Sequence, residues 1–143
     1  MAATLYNAEI LRLATEIPHQ GRLESPHASA EKRSPVCGSR VIVDVCMDAD
    51  GRIAALGQEV RACALGQASA ALMARHAIGR RSAELAAARD ALTGFLAGAQ
   101  TDPGDWPGLE ILRPAIPHKA RHASIRLPFE AVAEAAAQAR IAA

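Results

Sequence analysis

Residues 35–69, PVCGSRVIVDVCMDADGRIAALGQEVRACALGQAS, decide the fold. Cys37 stands before a glycine, Gly38, at the start of this stretch. Val41, Val43, Val45 and Met47 then alternate with Ile42, Asp44 and Cys46, the period of a half-buried strand. Asp50-Gly51 is a hairpin signal, since both residues tolerate a left-handed backbone. Ile53–Val60 supplies the returning strand, with Gly57 as a bulge or a point of close backbone approach. At Ala64 the period changes from two to that of a helix, and Cys63 sits immediately before it. An antiparallel hairpin returns the chain to its origin, so Cys37 and Cys63 are expected near one another.

Outward from this unit the elements are helical. Tyr6, Ile10, Leu13 and Ile17 recur at helical spacing and predict a helix over residues 4–16, with Thr4 as its N-cap and Pro18 as its stop. Residues 18–34 are polar and rich in Pro, Ser and Gly, the composition of a loop, with a short edge strand near its end. Gly79 closes the helix that follows Cys63. Ser82 and Glu84 open the next, with Leu85, Ala88, Leu92, Phe95 and Leu96 as its apolar face and Gly98 as its end. Residues 99–108, AQTDPGDWPG, read as a loop, Leu109–Leu112 as a short turn before Pro114, and Pro128 as the first residue of a final helix.

With 143 residues the chain suffices for one domain, 1–143, around a core of Leu, Ile, Val and Ala, because aromatics are only 3% of residues. Sixteen Lys and Arg against 15 Asp and Glu leave no basic excess to attract nucleic acid. There is no signal peptide and no apolar run of membrane-spanning length, which points to a cytoplasmic protein without membrane association. Three cysteines, an odd number, suit metal binding or catalysis better than a disulfide framework in that compartment.

A thiol just ahead of a helix faces unpaired N–H groups that favour its thiolate. Two thiolates converging from a turn and a helix start are potential ligands for zinc or an iron–sulfur cluster. The competing reading is two small buried apolar side chains. Cys46, in mid-strand, reads as a packed thiol. His118 and His122 are four apart and would share a helical face; an isolated histidine is otherwise a surface residue. His19, His27 and His76 read as solvated or capping residues.

These segments resemble the U-type iron–sulfur cluster assembly scaffolds, the family of the IscU and SufU proteins and the NifU amino-terminal domain. LYNAEILRLATEIPHQGRL resembles the family's opening helix and loop, and SPVCGSRVIVDVCMDADGRI its first cysteine motif and hairpin. ALGQEVRACALGQASAALM resembles its second cysteine motif, and IPHKARHASIRLPFEAV the closing segment where a third cysteine normally sits. The additional stretch around Gly98–Leu112 resembles the insertion of the SufU branch.

The resemblance implies an α+β fold, a small antiparallel sheet of about three strands packed against a layer of helices. It implies a scaffold or sulfur-relay role: accepting sulfur from a cysteine desulfurase, holding iron–sulfur units or zinc, and serving recipient apoproteins. On this alignment Cys37, Cys63 and His122 form the ligand set, with Cys37 and Cys63 as the sulfur acceptors. Two departures stand out. Ser39 replaces the family's aspartate, and a neutral hydroxyl is a poor ligand; His122 stands at the third cysteine, where imidazole can bind metal but cannot carry a persulfide. A degenerate member that keeps the fold as a binding or regulatory module is the alternative. A zinc hydrolase is a third reading, short of a convincing general base. Enzymatic activity, such as zinc-dependent sulfur transfer, is left open by the sequence.

Overall fold

The computed structural model describes residues 5–35 and 38–142, the side chains through Ala139. Three strands, β1 (Ala28–Arg33), β2 (Arg40–Met47) and β3 (Ile53–Arg61), form an antiparallel meander in the order β1-β2-β3. Four α-helices accompany it: α1 (Ala8–Thr15), α2 (Ala64–Ala77), α3 (Ser82–Leu96) and α4 (His122–Ala142). Two 3-10 segments, Leu109–Ala115 and Lys119–Arg121, lead into α4. The α+β class, with a small three-stranded antiparallel sheet against helices, is as the sequence implies.

One sheet face and the helices make the core. Val41, Val43 and Val45 are fully buried there, and α4 lies across β1 and β2. α2 packs on α1 and α4, and α3 on α4. The alanines explain the closeness of this layer: Ala68, Ala70 and Ala71 of α2 are all fully buried, as are Ala131, Ala135 and Ala136 of α4. Trp106, from the 99–108 loop, is also buried, edge-on to Phe129, and its indole N–H donates to the Leu72 carbonyl at 2.9 Å.

Several boundaries move. α1 begins at Ala8, where the Asn7 side chain accepts from the Ile10 N–H at 2.9 Å; Thr4, the expected cap, lies outside the described residues. α3 is capped at Arg81 rather than Ser82, with Glu84 accepting from the Arg81 N–H at 3.1 Å. The hairpin loop is held by Asp48, whose carboxylate accepts from the N–H groups of Asp50 and Arg52; only Gly51 takes a positive φ, +81°. Pro128 is not the start of a helix. α4 already runs from His122, so Pro128 lies inside it and leaves the Ser124 carbonyl without its helical donor.

β2 is not half-buried but covered on both faces. Residues 18–27 form a strap over the outer face. Gly21 N–H donates to the Gln58 carbonyl at 2.8 Å, and the Gln58 N–H donates to the His19 carbonyl at 3.0 Å. A Cβ added to Gly57 would come within 2.6 Å of the Gly21 carbonyl oxygen, so the close approach expected there is real and requires glycine. Asp44, fully buried under the strap, accepts from Arg22 Nε at 2.7 Å and Nη2 at 3.0 Å, from the Leu23 N–H at 3.0 Å and from Ser29 Oγ at 2.5 Å.

Candidate functional site at the start of α2

The site forms where three chain segments end side by side. β2 starts at Arg40, directly after Ser39; β3 ends at Arg61, and Arg40 and Arg61 are register partners. Cys63 follows as the N-cap of α2. The Ser34 N–H donates to the Ser39 carbonyl at 2.9 Å and the Gly38 N–H to the Ser34 carbonyl at 3.1 Å, closing the β1–β2 turn; Gly38 takes φ +72°, which glycine alone adopts freely. Cys37 lies outside the described residues.

Cys63 is partly exposed. Its Sγ and Ser124 Oγ share a 3.5 Å hydrogen bond in which either can donate, and Ser124 Oγ shares a 3.0 Å bond with Ser39 Oγ. Both serines are buried. One thiol thus ends a chain of two neutral hydroxyls. Gly66, one turn into α2, makes the arrangement possible: a Cβ there would lie 2.5 Å from Ser124 Oγ and 3.3 Å from the Ser124 carbonyl oxygen. The first turn of α2 carries no acid.

His122 is held elsewhere. Its Nε2–H donates to the Ala115 carbonyl at 2.9 Å, and the ring is buried. It lies two positions before Ser124, which turns the two side chains about 200° apart around α4. The fold therefore brings Ser39 and Ser124 to Cys63 and anchors His122 on the turn before α4. His118 is exposed and lies outside α4, so it does not share a helical face with His122. Cys46 is the packed thiol expected, with Sγ donating to the Ser25 carbonyl at 3.6 Å. His27, read as solvated or capping, accepts from the Met47 N–H through Nδ1 at 2.9 Å. His76 meets the edge of Trp106; burial, then the charges of Arg80 and Arg75, lowers its pKa. Among the described residues no group of three or more His, Cys, Asp or Glu can hold a metal ion. Among the described residues the donors gathered here are one thiol and two neutral hydroxyls, which are weak ligands for a metal ion.

No family model and no curated protein matches this chain. Solved structures do. A nitrogen-fixing NifU-like protein (N-terminal) from Brucella abortus is 41% identical over 97% of this chain and 96% of its own, with a TM-score of 0.91. The chain belongs to the NifU-like, U-type scaffold family. A second neighbour is a putative iron–sulfur cluster assembly scaffold protein for the SUF system from Fervidobacterium islandicum AW-1. It is 20% identical over 92% of this chain and 96% of its own, with a TM-score of 0.85, and shares the fold. In this NifU-like domain the residue that faces Cys63 from the closing segment is Ser124, the feature the sequence did not disclose. Among the described residues no helix is long and apolar enough to cross a membrane.

Proposed function

We propose that this NifU-like chain is an iron–sulfur assembly protein that takes up sulfur on a cysteine and passes it, alone or as a nascent iron–sulfur unit, to a recipient apoprotein. The observation that supports it is the Cys63 thiol, accessible at a helix N-terminus and hydrogen-bonded to Ser124, in a chain 41% identical to a NifU-like protein. The donor is a cysteine desulfurase carrying a persulfide. The Cys63 thiolate attacks the terminal sulfur, the donor's cysteine leaves as a thiolate, and Cys63 carries the persulfide; no outside oxidant or reductant is needed. Ser124 Oγ is placed to donate to the sulfur at Cys63 throughout. Cys37 is the second sulfur acceptor and the other thiolate for an iron–sulfur unit.

The proposed ligand positions are then 37, 39, 63 and 124, two thiols and two hydroxyls, with His122 a structural residue. Such a site holds its cargo loosely, as a relay requires. Incubation with desulfurase and cysteine should add one sulfur mass to the intact protein, and Cys63→Ala should reduce or abolish the addition. An unchanged addition in that variant refutes the role given to Cys63.

The serine pair also motivates a second reading, a non-metal binding module that has lost the chemistry. Anaerobic reconstitution with iron, sulfide and desulfurase separates the two. Visible-range sulfur-to-iron absorbance that depends on Cys63 supports the first; no bound iron and no persulfide supports the second.

A further inference from the structure

A row of three arginines crosses the end of the sheet at which this site forms. Arg33 of β1 is the register partner of Arg40 of β2, and Arg40 of Arg61 of β3. Register partners point to the same face, and like charges placed directly opposite are unfavourable. Three in line, spanning about 10 Å across the strands, is a local cost with no packing gain. The row is close to the site along the chain: Ser39 precedes Arg40, and Cys63 lies two residues beyond Arg61.

The row is only partly neutralised within the chain. Arg33 pairs with Glu31 at 2.6 Å while its side chain stays 67% exposed. Arg40 has carboxylates only at 3.8 Å (Glu31) and 3.9 Å (Glu59). Arg61 is exposed and has no ion-pair partner among the described residues.

We propose that Arg33, Arg40 and Arg61 form a docking strip for an acidic segment of the protein that delivers sulfur to Cys63. This rests on the sulfur-accepting reading above. A nucleic acid fits less well. The formal net charge of the chain is only +1, and Glu31 and Glu59 flank Ile42 in the next row inward, where they repel a continuous phosphate backbone. A short run of carboxylates followed by a basic residue matches both rows.

Two measurements use the charge-reversed R33E/R61E variant and the charge-preserving R33K/R61K variant. Glu at 61 would face Arg40 in a favourable pair, so the reversal is not expected to unfold the sheet; circular dichroism checks this. The first measurement is the second-order rate of sulfur transfer from desulfurase to Cys63. At low ionic strength it should fall roughly tenfold in the reversed variant, remain near wild type in the lysine variant, and converge among all three at about 0.5 M salt. The second is an NMR titration with a hexaglutamate peptide, which should shift the guanidinium signals of Arg33, Arg40 and Arg61.

Equal, salt-independent transfer rates in the three proteins overturn the strip, as does tighter binding of a single-stranded oligonucleotide than of the peptide. If desulfurase fails to label even the wild type while the peptide still shifts the row, the sulfur-accepting reading falls and the acidic-segment strip stands. If neither occurs, both fall.

Discussion

At the scale of single residues, the chemistry turns on which side chain of the closing segment meets Cys63. Ser124 does so through a 3.5 Å contact, while His122 is tied to Ala115 by a bond of 2.9 Å. Ser124→Cys should therefore convert a hydroxyl into a thiolate beside Cys63, and zinc or cobalt should then be retained through dialysis more strongly than in the wild type. His122→Ala should leave metal retention unchanged and lower stability by about 1–2 kcal/mol, the cost of an orphaned buried carbonyl. A cobalt titration followed by sulfur-to-metal absorbance checks both. If His122→Ala abolishes the signal and Ser124→Cys does nothing, the histidine swings into the site and the assignment is reversed. Both residues were visible in ARHAS, but their relation to Cys63 was not. Helical phase depends on where α4 starts, and that start is fixed by the His122–Ala115 bond and by Gly66 admitting Ser124, both long-range or irregular contacts. Cys63 at a helix start was legible because a change of hydrophobic period marks it in the chain itself.

At the scale of elements, the strap over the sheet is held by one buried carboxylate. Burial pushes the Asp44 carboxyl up, but hydrogen bonds from Arg22, Ser29 and the Leu23 N–H together outweigh it and hold its pKa below the usual carboxylate value. A depressed native pKa contributes stability that is complete above the unfolded-state value, about 4, and is lost as pH falls through the native one. Asp44→Asn should cost about 1–3 kcal/mol at neutral pH, and the gap to wild type should shrink as pH drops below about 4. Urea denaturation at neutral and acid pH measures this. Glu31, held low first by Arg33, Asp48, by the Arg52 N–H, and Glu84, by the Arg81 N–H, lie at the surface and are common to both proteins, so they cancel. A constant gap across that range would mean that Asp44 is not the ionised anchor. The sequence suggested a half-buried β2 because Asp44 and Cys46 look like a wet face; nothing local says that Arg22 returns to neutralise Asp44 from 22 positions away. β1 was only faintly legible for a similar reason. ASAEKR has no apolar alternation, and the strand exists because β2 offers it a ladder edge.

At the scale of the whole molecule, the helical layer and the strap are unequal covers of one sheet. The inner face meets α4 through fully buried Val41, Val43 and Val45, and α4 is itself backed by α2 and α3. The elements were readable because strands and helices each carry their own period, whereas their arrangement in layers was implied by the family resemblance. The outer face meets a strap held chiefly by polar contacts at Gly21, Leu23 and Asp44. Buried apolar contact sets how rarely a region opens, so the two covers should open with different free energies. Hydrogen exchange should find the amides of β2 and of the middle of α4 slowest, opening only with global unfolding. Gly21 and Leu23, the strap amides bonded to Gln58 and Asp44, should exchange faster than those and slower than their strap neighbours. In Asp44→Asn these two should lose protection selectively while the β2–β3 ladder keeps its own. Uniform loss of protection across strap and ladder would instead make the strap an integral layer of the core. The docking strip would then be carried on a sheet braced from both sides, since Arg33, Arg40 and Arg61 lie on the same outer face beyond the end of the strap.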